Sequence, residues 1–488
     1  MKTIIRIFIL FSIVTGAYAQ SPKHEVRAVW LTTIGGIDWP STHATSSYNA
    51  NLQKQELIRI LDQLQQVNIN TVLVQTRVRA TTIFPTPTEP WDVCLTGKPG
   101  QSPGYDPLQF CIDECHKRGM ECHAWIVTIP VGKWNNNGCQ LLRKKFPNLI
   151  RKIGDEGYMN PEMPQTGDYL ASFCEEVTRR YDVDGIHLDY IRYPETWKLK
   201  VSRQQGREYI TSIVRKIHDA VKSAKPWVKL SCSPIGKYDD LARYRSSGWN
   251  ANTTVCQDAQ GWLRDGLMDA LFPMMYFQGN NFYPFAVDWQ QHSYNRMVAP
   301  GLAVYMLHPR EKNWDLEVIT REMSFLREHR LGVTFFRSKF LTDNIKGVYT
   351  FTKDFNVNPA LVPPMIWAGK RAPSTVGSLL IRRGIHNDYI TWQPARDNSG
   401  GDYLLYHVYA SENWPVDTRD AANLIATRLR DRELSIPHKG RTYHYAVTAV
   451  DRYGNESAPL QSMDRAGKTP KPIDFRQLIM GNSPKKYK

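Results

Sequence analysis

The fold of the chain is indicated most clearly by the stretch Val183-Asp184-Gly185-Ile186-His187-Leu188-Asp189-Tyr190-Ile191-Arg192-Tyr193-Pro194. Its apolar residues alternate with polar ones and Pro194 ends it, which predicts a buried strand that runs into a loop. Successive strand side chains point to opposite faces, so His187 and Asp189 share one face. In a closed parallel barrel that face is the interior, and its last residue lies at the C-terminal mouth. Asp189 is therefore a candidate catalytic carboxylate; a helix cap or an ion pair with Arg192 is the structural alternative.

Strand and helix patterns alternate from Glu25 to about Leu341. Besides the opening stretch, strand-like runs cover Glu25–Thr33, Asn70–Val78, Cys122–Thr128, Val228–Ser233, Ala270–Phe277, Arg296–Leu307 and Gly332–Phe336. Helical periodicity covers Asn51–Val67, Pro107–Arg118, Tyr169–Tyr181, Arg207–Ser223, Gln257–Leu267 and Leu316–His329. Eight strands alternating with helices predict an α/β fold, a (β/α)8 TIM barrel with enlarged loops over residues 25–357. A doubly wound open sheet is the alternative, but no Gly-x-Gly-x-x-Gly follows the first strand.

The N-terminus has the pattern of an export signal. A basic start is followed by a short apolar run and by Ala17-Tyr18-Ala19, which predicts a signal peptide over residues 1–19. No stretch reaches the roughly 20 apolar residues of a membrane span, so we expect an exported protein, periplasmic or secreted. The formal net charge is +15, and it is +13 without Lys2 and Arg6, which favours contact with an anionic polymer or surface. Because no nucleic-acid-binding signature is present, we expect no nucleic acid partner.

The eight cysteines all lie in the first two-thirds of the chain: Cys94, Cys111, Cys115, Cys122, Cys139, Cys174, Cys232 and Cys256. Export permits disulfides, but a chain of this length does not need them, and no Cys-x-x-Cys pair is present. The pattern favours mostly free, buried thiols with at most one or two bridges.

The last third of the chain changes character. Residues 358–371 are proline-rich and indicate a linker, and short alternating strands follow over residues 372–461. The run Tyr443–Ser457, together with Ile390-Thr391-Trp392 and the strand Tyr403–Tyr409, resembles a fibronectin type III domain. Residues 462–488 are polar and basic, which is typical of a loosely ordered tail. We expect this all-β module to bind or space rather than to catalyse.

Several phrases of the barrel region resemble the family-10-like glycosyl hydrolases of bacteria. They are Glu25–Thr32, Glu89-Pro90-Trp91, Pro103–Leu108, His116–Glu121 with His123-Ala124-Trp125, and Asp184–Pro194. The resemblance implies a (β/α)8 barrel that cleaves glycosidic bonds, in characterised relatives those of peptide-free peptidoglycan strands. The chain departs from the family where Ile126–Pro130 replaces an Asn-Pro-Tyr-Arg phrase, where Met274 replaces a glutamine, and where a single Asp189 replaces a doubled aspartate.

Glycosidic bond cleavage requires one protonated and one ionised carboxyl group. We expect Asp189 to be the ionised partner, because His187 and Arg192 nearby would hold its pKa down. The candidates for the proton donor are three loop carboxylates: Glu89, Glu195 and, behind them, Asp240.

Sugar sites also use flat aromatic faces and polar side chains with paired donors or acceptors. Residues of these types near predicted strand ends give the substrate-binding candidates Trp30, Gln75, Arg77, His123, Trp125, His187, Tyr190, Tyr276 and Tyr305. For the aromatic residues, the structural alternative is packing inside the barrel. For Arg77, it is an internal ion pair.

No cofactor or metal ion is expected, because no His-x-His or His-Glu-x-x-His pattern is present. The sequence therefore predicts an exported glycoside hydrolase acting on a bacterial polysaccharide, possibly peptide-free peptidoglycan strands. A metal-dependent polysaccharide deacetylase is a weaker alternative, and a non-catalytic glycan-binding protein on a hydrolase-like barrel is the main one.

Overall fold

A computed structural model describes residues 21–462. The predicted signal peptide and all but the first residue of the predicted tail lie outside these residues. Nine strands form one parallel sheet: β1 Arg27–Leu31, β2 Thr71–Arg77, β3 Glu121–Val127, β4 Gly185–Asp189, β5 Lys229–Ser233, β6 Ala270–Leu271, β7 Met297–Val298, β8 Gly301–Leu302 and β9 Val333–Phe335. Their order in the sheet is β7-β6-β5-β4-β3-β2-β1-β9-β8.

The two edges of this sheet are consecutive in the chain, and this closes the barrel. β7 pairs with β6 and β8 pairs with β9, while only Ala299 and Pro300 separate β7 from β8. The nitrogen of Ala299 donates to the carbonyl of Leu271, and the nitrogen of Thr334 donates to the carbonyl of Pro300. The fold is therefore a closed (β/α)8 barrel, as predicted, with its seventh strand broken in two.

The predicted strands Ala270–Phe277 and Arg296–Leu307 were too long. Each run contains a proline, Pro273 and Pro300 respectively. A proline has no N–H to donate to the sheet, so regular pairing stops near it. Beyond β6 the pairing continues only as isolated bridges, including Met274 with Gly301.

Amphipathic helices surround the sheet. They are Ser47–Gln66, Val93–Thr96, Pro107–Lys117, Asn137–Lys145, Pro164–Arg180, Arg203–Ala224, Ala259–Arg264, Tyr283–Gln291, Leu316–Glu328, Ser338–Thr342 and Val348–Phe355. Arg203–Ala224 illustrates why they form: Ser202 caps its first turn through the nitrogen of Gln205, and its apolar residues recur at helical spacing. The buried stripe consists of Ile210, Ile213, Val214, Ile217 and Val221. All eight cysteines are free and buried.

A small antiparallel sheet is inserted directly after β3. Its strands are Pro130–Lys133, Ile150–Ile153 and Glu156–Met159, and the helix Asn137–Lys145 packs against it. We call residues 130–159 the rim insertion, because β3 delivers it to the C-terminal side of the barrel. The sequence patterns did not predict this element, whose strands have only four residues each.

The C-terminal part forms two antiparallel sheets. One contains Leu379–Arg383, Asn387–Trp392 and Glu433–Pro437, and the other contains Leu405–Ser411, Leu424–Leu429, His444–Val450 and Leu460–Gln461. Buried side chains of both sheets, including Ile390, Trp392, Val408 and Val447, share one core. An all-β domain therefore follows the barrel, and its assignment to the fibronectin type III class stays a prediction.

This all-β domain contacts the base of the barrel through buried charges. Arg428 donates to Asp184 at 2.5 Å and to Glu121 at 3.2 Å, and Arg452 donates to Asp182 at 2.8 Å. Asp184 and Glu121 lie where β4 and β3 begin, at the end opposite to the C-terminal mouth. The guanidinium groups add to the charge compensation of these carboxylates, since Glu121 also pairs with Lys229 at 2.8 Å and Asp184 with His116 at 2.8 Å.

Candidate active site

Asp189 is the last residue of β4 and points into the barrel mouth. Its Cα is in register with Val127 of β3 and Ser233 of β5, so it lies in the top layer of the barrel. The indole N–H of Trp125 donates to its Oδ2 at 3.1 Å, and the hydroxyl of Ser233 donates to its Oδ1 at 2.9 Å. Two neighbouring strands thus hold the carboxyl group in one orientation while its side chain stays partly accessible.

The predicted direction of the Asp189 pKa was wrong. Burial raises its pKa, and this outweighs the hydrogen bond from Ser233, the charge of Arg192 and the bond from Trp125, which all lower it. His187 supplies no positive charge, because burial lowers its own pKa well below the ordinary value. The sequence located the charged neighbours but not the desolvation, which depends on how closely the barrel encloses the carboxyl group.

The chain reverses direction immediately after Asp189. Tyr190 has a φ of 57°, a left-handed conformation that is uncommon for a residue with a large side chain. Glu195 lies on the loop that follows, and its carboxylate accepts from the Tyr190 hydroxyl at 2.9 Å and from Arg192 at 2.8 Å. Such local strain is typical of functional sites.

The pKa of Glu195 shifts in the opposite direction from that of Asp189. Burial tends to raise it, but the charge and hydrogen bond of Arg192 and the bond from Tyr190 lower it overall. Arg192 also acts on Asp189, so one guanidinium lies within electrostatic range of both carboxyl groups. The site therefore contains one carboxyl group that tends to keep its proton and one that tends to be ionised.

Arg77 and Glu89 do not reach the mouth. A bulge follows Gln75 and places Arg77 in register with Ile126, so Gln75 and Arg77 do not share a strand face as predicted. Arg77 instead pairs with Glu89 at 2.7 Å and lies over the ring of Phe173 in the outer helix Pro164–Arg180. Both side chains of the pair are completely buried, which makes Glu89 a structural partner rather than an accessible proton donor.

Three predicted substrate-binding residues lie inside the barrel. Trp30 donates to Nε2 of His187 at 3.2 Å, and both side chains are buried. His123 contacts Glu121 at 3.0 Å, near the base. These positions point inward as predicted, but they belong to the lower and middle layers of the barrel and not to its mouth. Their surroundings correspond to the structural alternative.

An aromatic wall stands at the mouth on the side of β6 to β9. The ring centroids of Tyr276 and Tyr305 are 5.8 Å apart, and Phe336 lies 5.4 Å from Tyr276 and 5.7 Å from Tyr305. All three rings are partly exposed, and the charge of Asp189 acts on Tyr276. Aromatic faces beside a carboxyl group are suited to stacking sugar rings.

Gln75, also predicted to bind substrate, is buried and stabilises the loop after β1. Its Oε1 accepts from the backbone nitrogens of Thr33 and Ile34, at 3.0 and 2.8 Å.

The sequence did not predict two residues of the mouth, Ser233 and Phe336. Ser233 was detectable, because it is the last inward position of the well-predicted strand β5.

Asp240 lies on the outer loop after β5. It accepts from the nitrogen and hydroxyl of Ser246 at 2.7 and 2.6 Å, which makes it a turn-stabilising residue.

Within residues 21–462, no group of three or more His, Cys, Asp and Glu side chains is arranged to hold a metal ion. None of the helices described there has the length and apolar character of a membrane span.

The chain is similar to several known proteins. The chain is 29% identical over 488 residues to glycosyl hydrolase YngK of Bacillus subtilis, covering 90% of this chain and 93% of that protein. It is 31% identical over 297 residues to glycosyl hydrolase DigH of Escherichia coli, covering 54% of this chain and 67% of that protein. Among solved structures, α-L-fucosidase isoenzyme 2 from Paenibacillus thiaminolyticus matches with a TM-score of 0.45 and 14% identity, over 72% of this chain and 52% of that one.

The sequence model of the family glycosyl hydrolase-like 10 matches residues 25–306. The match covers more than half of the chain and includes Asp189, Glu195 and most of the barrel. A closed barrel with a pair of oppositely shifted carboxyl groups and an aromatic wall at its C-terminal mouth is the arrangement that such a hydrolase needs. The chain belongs to the glycosyl hydrolase-like 10 family and is a glycosyl hydrolase.

Proposed function

We propose that the enzyme is exported and cleaves glycosidic bonds in a bacterial polysaccharide, namely peptide-free peptidoglycan strands. The proposed proton donor is Asp189 and the proposed ionised partner is Glu195. The observation that carries this assignment is the raised pKa of Asp189, since a general acid must still hold its proton at the working pH. These roles are the reverse of those expected from the sequence alone.

The proposed chemistry begins when a sugar ring stacks on the aromatic wall formed by Tyr276, Tyr305 and Phe336. Asp189 then donates its proton to the leaving glycosidic oxygen, and Glu195 stabilises the positive charge that develops on the sugar or activates the attacking water. Trp125 and Ser233 fix the direction of the Asp189 carboxyl group, and fixed geometry is itself a large part of catalysis. Arg192 lowers the pKa of Glu195 and so favours its ionised form, while burial raises the pKa of Asp189.

The test is product analysis with purified protein and peptide-free peptidoglycan strands. We expect the wild type to release sugar fragments, and Asp189→Asn and Glu195→Gln each to lower kcat by about 100-fold or more. Glu89→Gln is the matched control, because Glu89 is a carboxylate near the same strands that does not reach the mouth. Fragment release by Asp189→Asn at the wild-type rate would contradict the assigned role, and no release by the wild type would exclude this substrate.

The names of the two relatives assign them only to the glycosyl hydrolases, so the proposed peptidoglycan substrate rests on the resemblance of the motifs. Export rests on the N-terminal pattern of residues 1–19. Its test is N-terminal sequencing of protein recovered outside the cytoplasm, where we expect a chain that begins at Gln20. Recovery of the uncleaved chain from the cytoplasm alone would contradict export.

A further inference from the structure

Three arginines lie on loops at the C-terminal side of the barrel. The side of β6 to β9 carries the aromatic wall, whereas the loops after β2, β3 and β4 carry the arginines Arg79, Arg151 and Arg192. Arg192 is engaged with Glu195 at 2.8 Å. The other two arginines have no role in the chemistry described above.

The rim insertion places Arg151 next to the catalytic loop. Arg151 is the direct antiparallel partner of Tyr158, so their side chains lie on the same face of the inserted sheet. The guanidinium of Arg151 lies 4.4 Å from the ring of Trp197, two residues after Glu195. Burial raises the pKa of Tyr158, whose hydroxyl also experiences the charge of Glu195. This face of the insertion therefore borders the site.

Neither Arg79 nor Arg151 has a close counter-ion. Within residues 21–462, no carboxylate oxygen lies within 4.0 Å of Arg151. Arg79 has a single distant one, Glu156 at 3.9 Å, and 44% of its side chain is exposed. Guanidinium groups bind carboxylates through paired hydrogen bonds, so Arg151 without a carboxylate partner and Arg79 with one distant partner form a suitable site for an oxyanion.

We propose that Arg79 and Arg151 bind carboxylate groups on the sugars that flank the cleaved bond, and that the enzyme selects glycans carrying such acidic sugars. This inference rests on the proposed hydrolase function and adds the chemical feature by which the substrate is recognised. The aromatic wall then contacts sugar faces on one side of the mouth while the arginines contact acidic substituents on the other. The substrate is thereby oriented across Asp189.

A general attraction between a basic protein and an acidic polymer is the competing explanation. The chain offers a control that separates the two. Lys152 follows Arg151 in the same strand and also has no close carboxylate among the described residues, but it is paired with Gly157 on the opposite face of the sheet. Its ammonium lies 5.5 Å from the ring of Trp134, away from the catalytic loop. General attraction predicts equal effects for both residues, and a specific site predicts an effect of Arg151 alone.

The experiment measures binding in the Asp189→Asn protein, so that turnover does not interfere. One probe is peptide-free peptidoglycan, whose muramic acid residues carry a lactyl carboxylate, and the other is the same strands with these carboxylates coupled to ethanolamine as neutral amides. We expect about tenfold tighter binding of the acidic strands, as for one charge-assisted contact. Adding Arg151→Gln or Arg79→Gln is expected to remove most of this preference, and adding Lys152→Gln to leave it intact.

Three results would overturn the inference: equal binding of acidic and neutral strands, equal losses with Arg151→Gln and Lys152→Gln, or no binding of either probe. Fragment release by the wild type is measured in parallel. Release from both kinds of strand at equal rates would retain the hydrolase function and reject carboxylate recognition, so that the two proposals fail separately.

Discussion

Glu322 lies inside the helix Leu316–Glu328 with 1% of its surface exposed, and neither carboxyl oxygen has a hydrogen-bond partner. Burial raises its pKa from 4.5 to about 9. The unfolded chain therefore loses this proton near pH 4.5 while the folded protein keeps it up to about pH 9. Between these values folding is opposed by about 1.4 kcal/mol for each pH unit, so the cost at pH 7 is about 3 kcal/mol.

We predict that Glu322→Gln, which carries no ionisable proton, removes this cost. The free energy of unfolding of the variant minus that of the wild type is expected to be small at pH 4.5 and to rise to about 3 kcal/mol at pH 7. Urea denaturation at several pH values measures the difference. Glu328→Gln, in the exposed last turn of the same helix, is the control and should give a flat difference. A flat difference for Glu322→Gln as well would refute the reasoning.

Three further predictions concern the site and the base of the barrel. Ser233→Ala removes a hydrogen bond that lowers the pKa of Asp189. The alkaline limb of the pH profile of kcat/KM should therefore move to higher pH by about one unit. A shift of the acid limb instead would make Asp189 the base. Arg428→Met should destabilise the protein by about 2–3 kcal/mol, because Asp184 and Glu121 each lose a charge-assisted hydrogen bond while keeping His116 and Lys229 as partners. A loss below about 1 kcal/mol in urea titration would contradict this. Glu89→Gln should lower the melting temperature with little change in kcat, since the buried Arg77 loses its charged partner and keeps only neutral acceptors. A strongly reduced kcat at unchanged melting temperature would return Glu89 to the chemistry.

The parts of the barrel that the sequence predicted are those whose local pattern agrees with their surroundings. β5 is buried throughout and β4 is buried up to Asp189, and the helix Arg203–Ala224 has a cap and one apolar stripe. Strands six and seven were misjudged because Pro273 and Pro300 remove backbone donors within otherwise apolar runs. The rim insertion was missed for a different reason, since strands of four residues are stabilised by their neighbours and not by their own pattern.

The site was predictable only in part. Alternation along β4 was enough to place Asp189 inward and last, and proximity in the chain indicated Glu195. The same alternation failed at Arg77, because a single bulge reverses the face of every later residue in a strand. Nothing in β2 itself reveals the bulge, which forms where Arg77 reaches the outer carboxylate of Glu89.

The assignment of acid and base depended on a quantity that residue identities do not contain. Arg192 is close in the sequence to both Asp189 and Glu195, which predicts that it lies near both side chains. A positive charge lowers the pKa of either carboxyl group. What separates the two is enclosure: Asp189 is surrounded by the barrel and by Trp125, whereas Glu195 lies on the rim and bonds to Arg192 directly. Desolvation exceeds the long-range charge effect at Asp189, and the direct ion pair exceeds desolvation at Glu195. The pKa values of two carboxyl groups beside one arginine can therefore shift in opposite directions, which favours the division into acid and ionised partner that glycosidic bond cleavage requires.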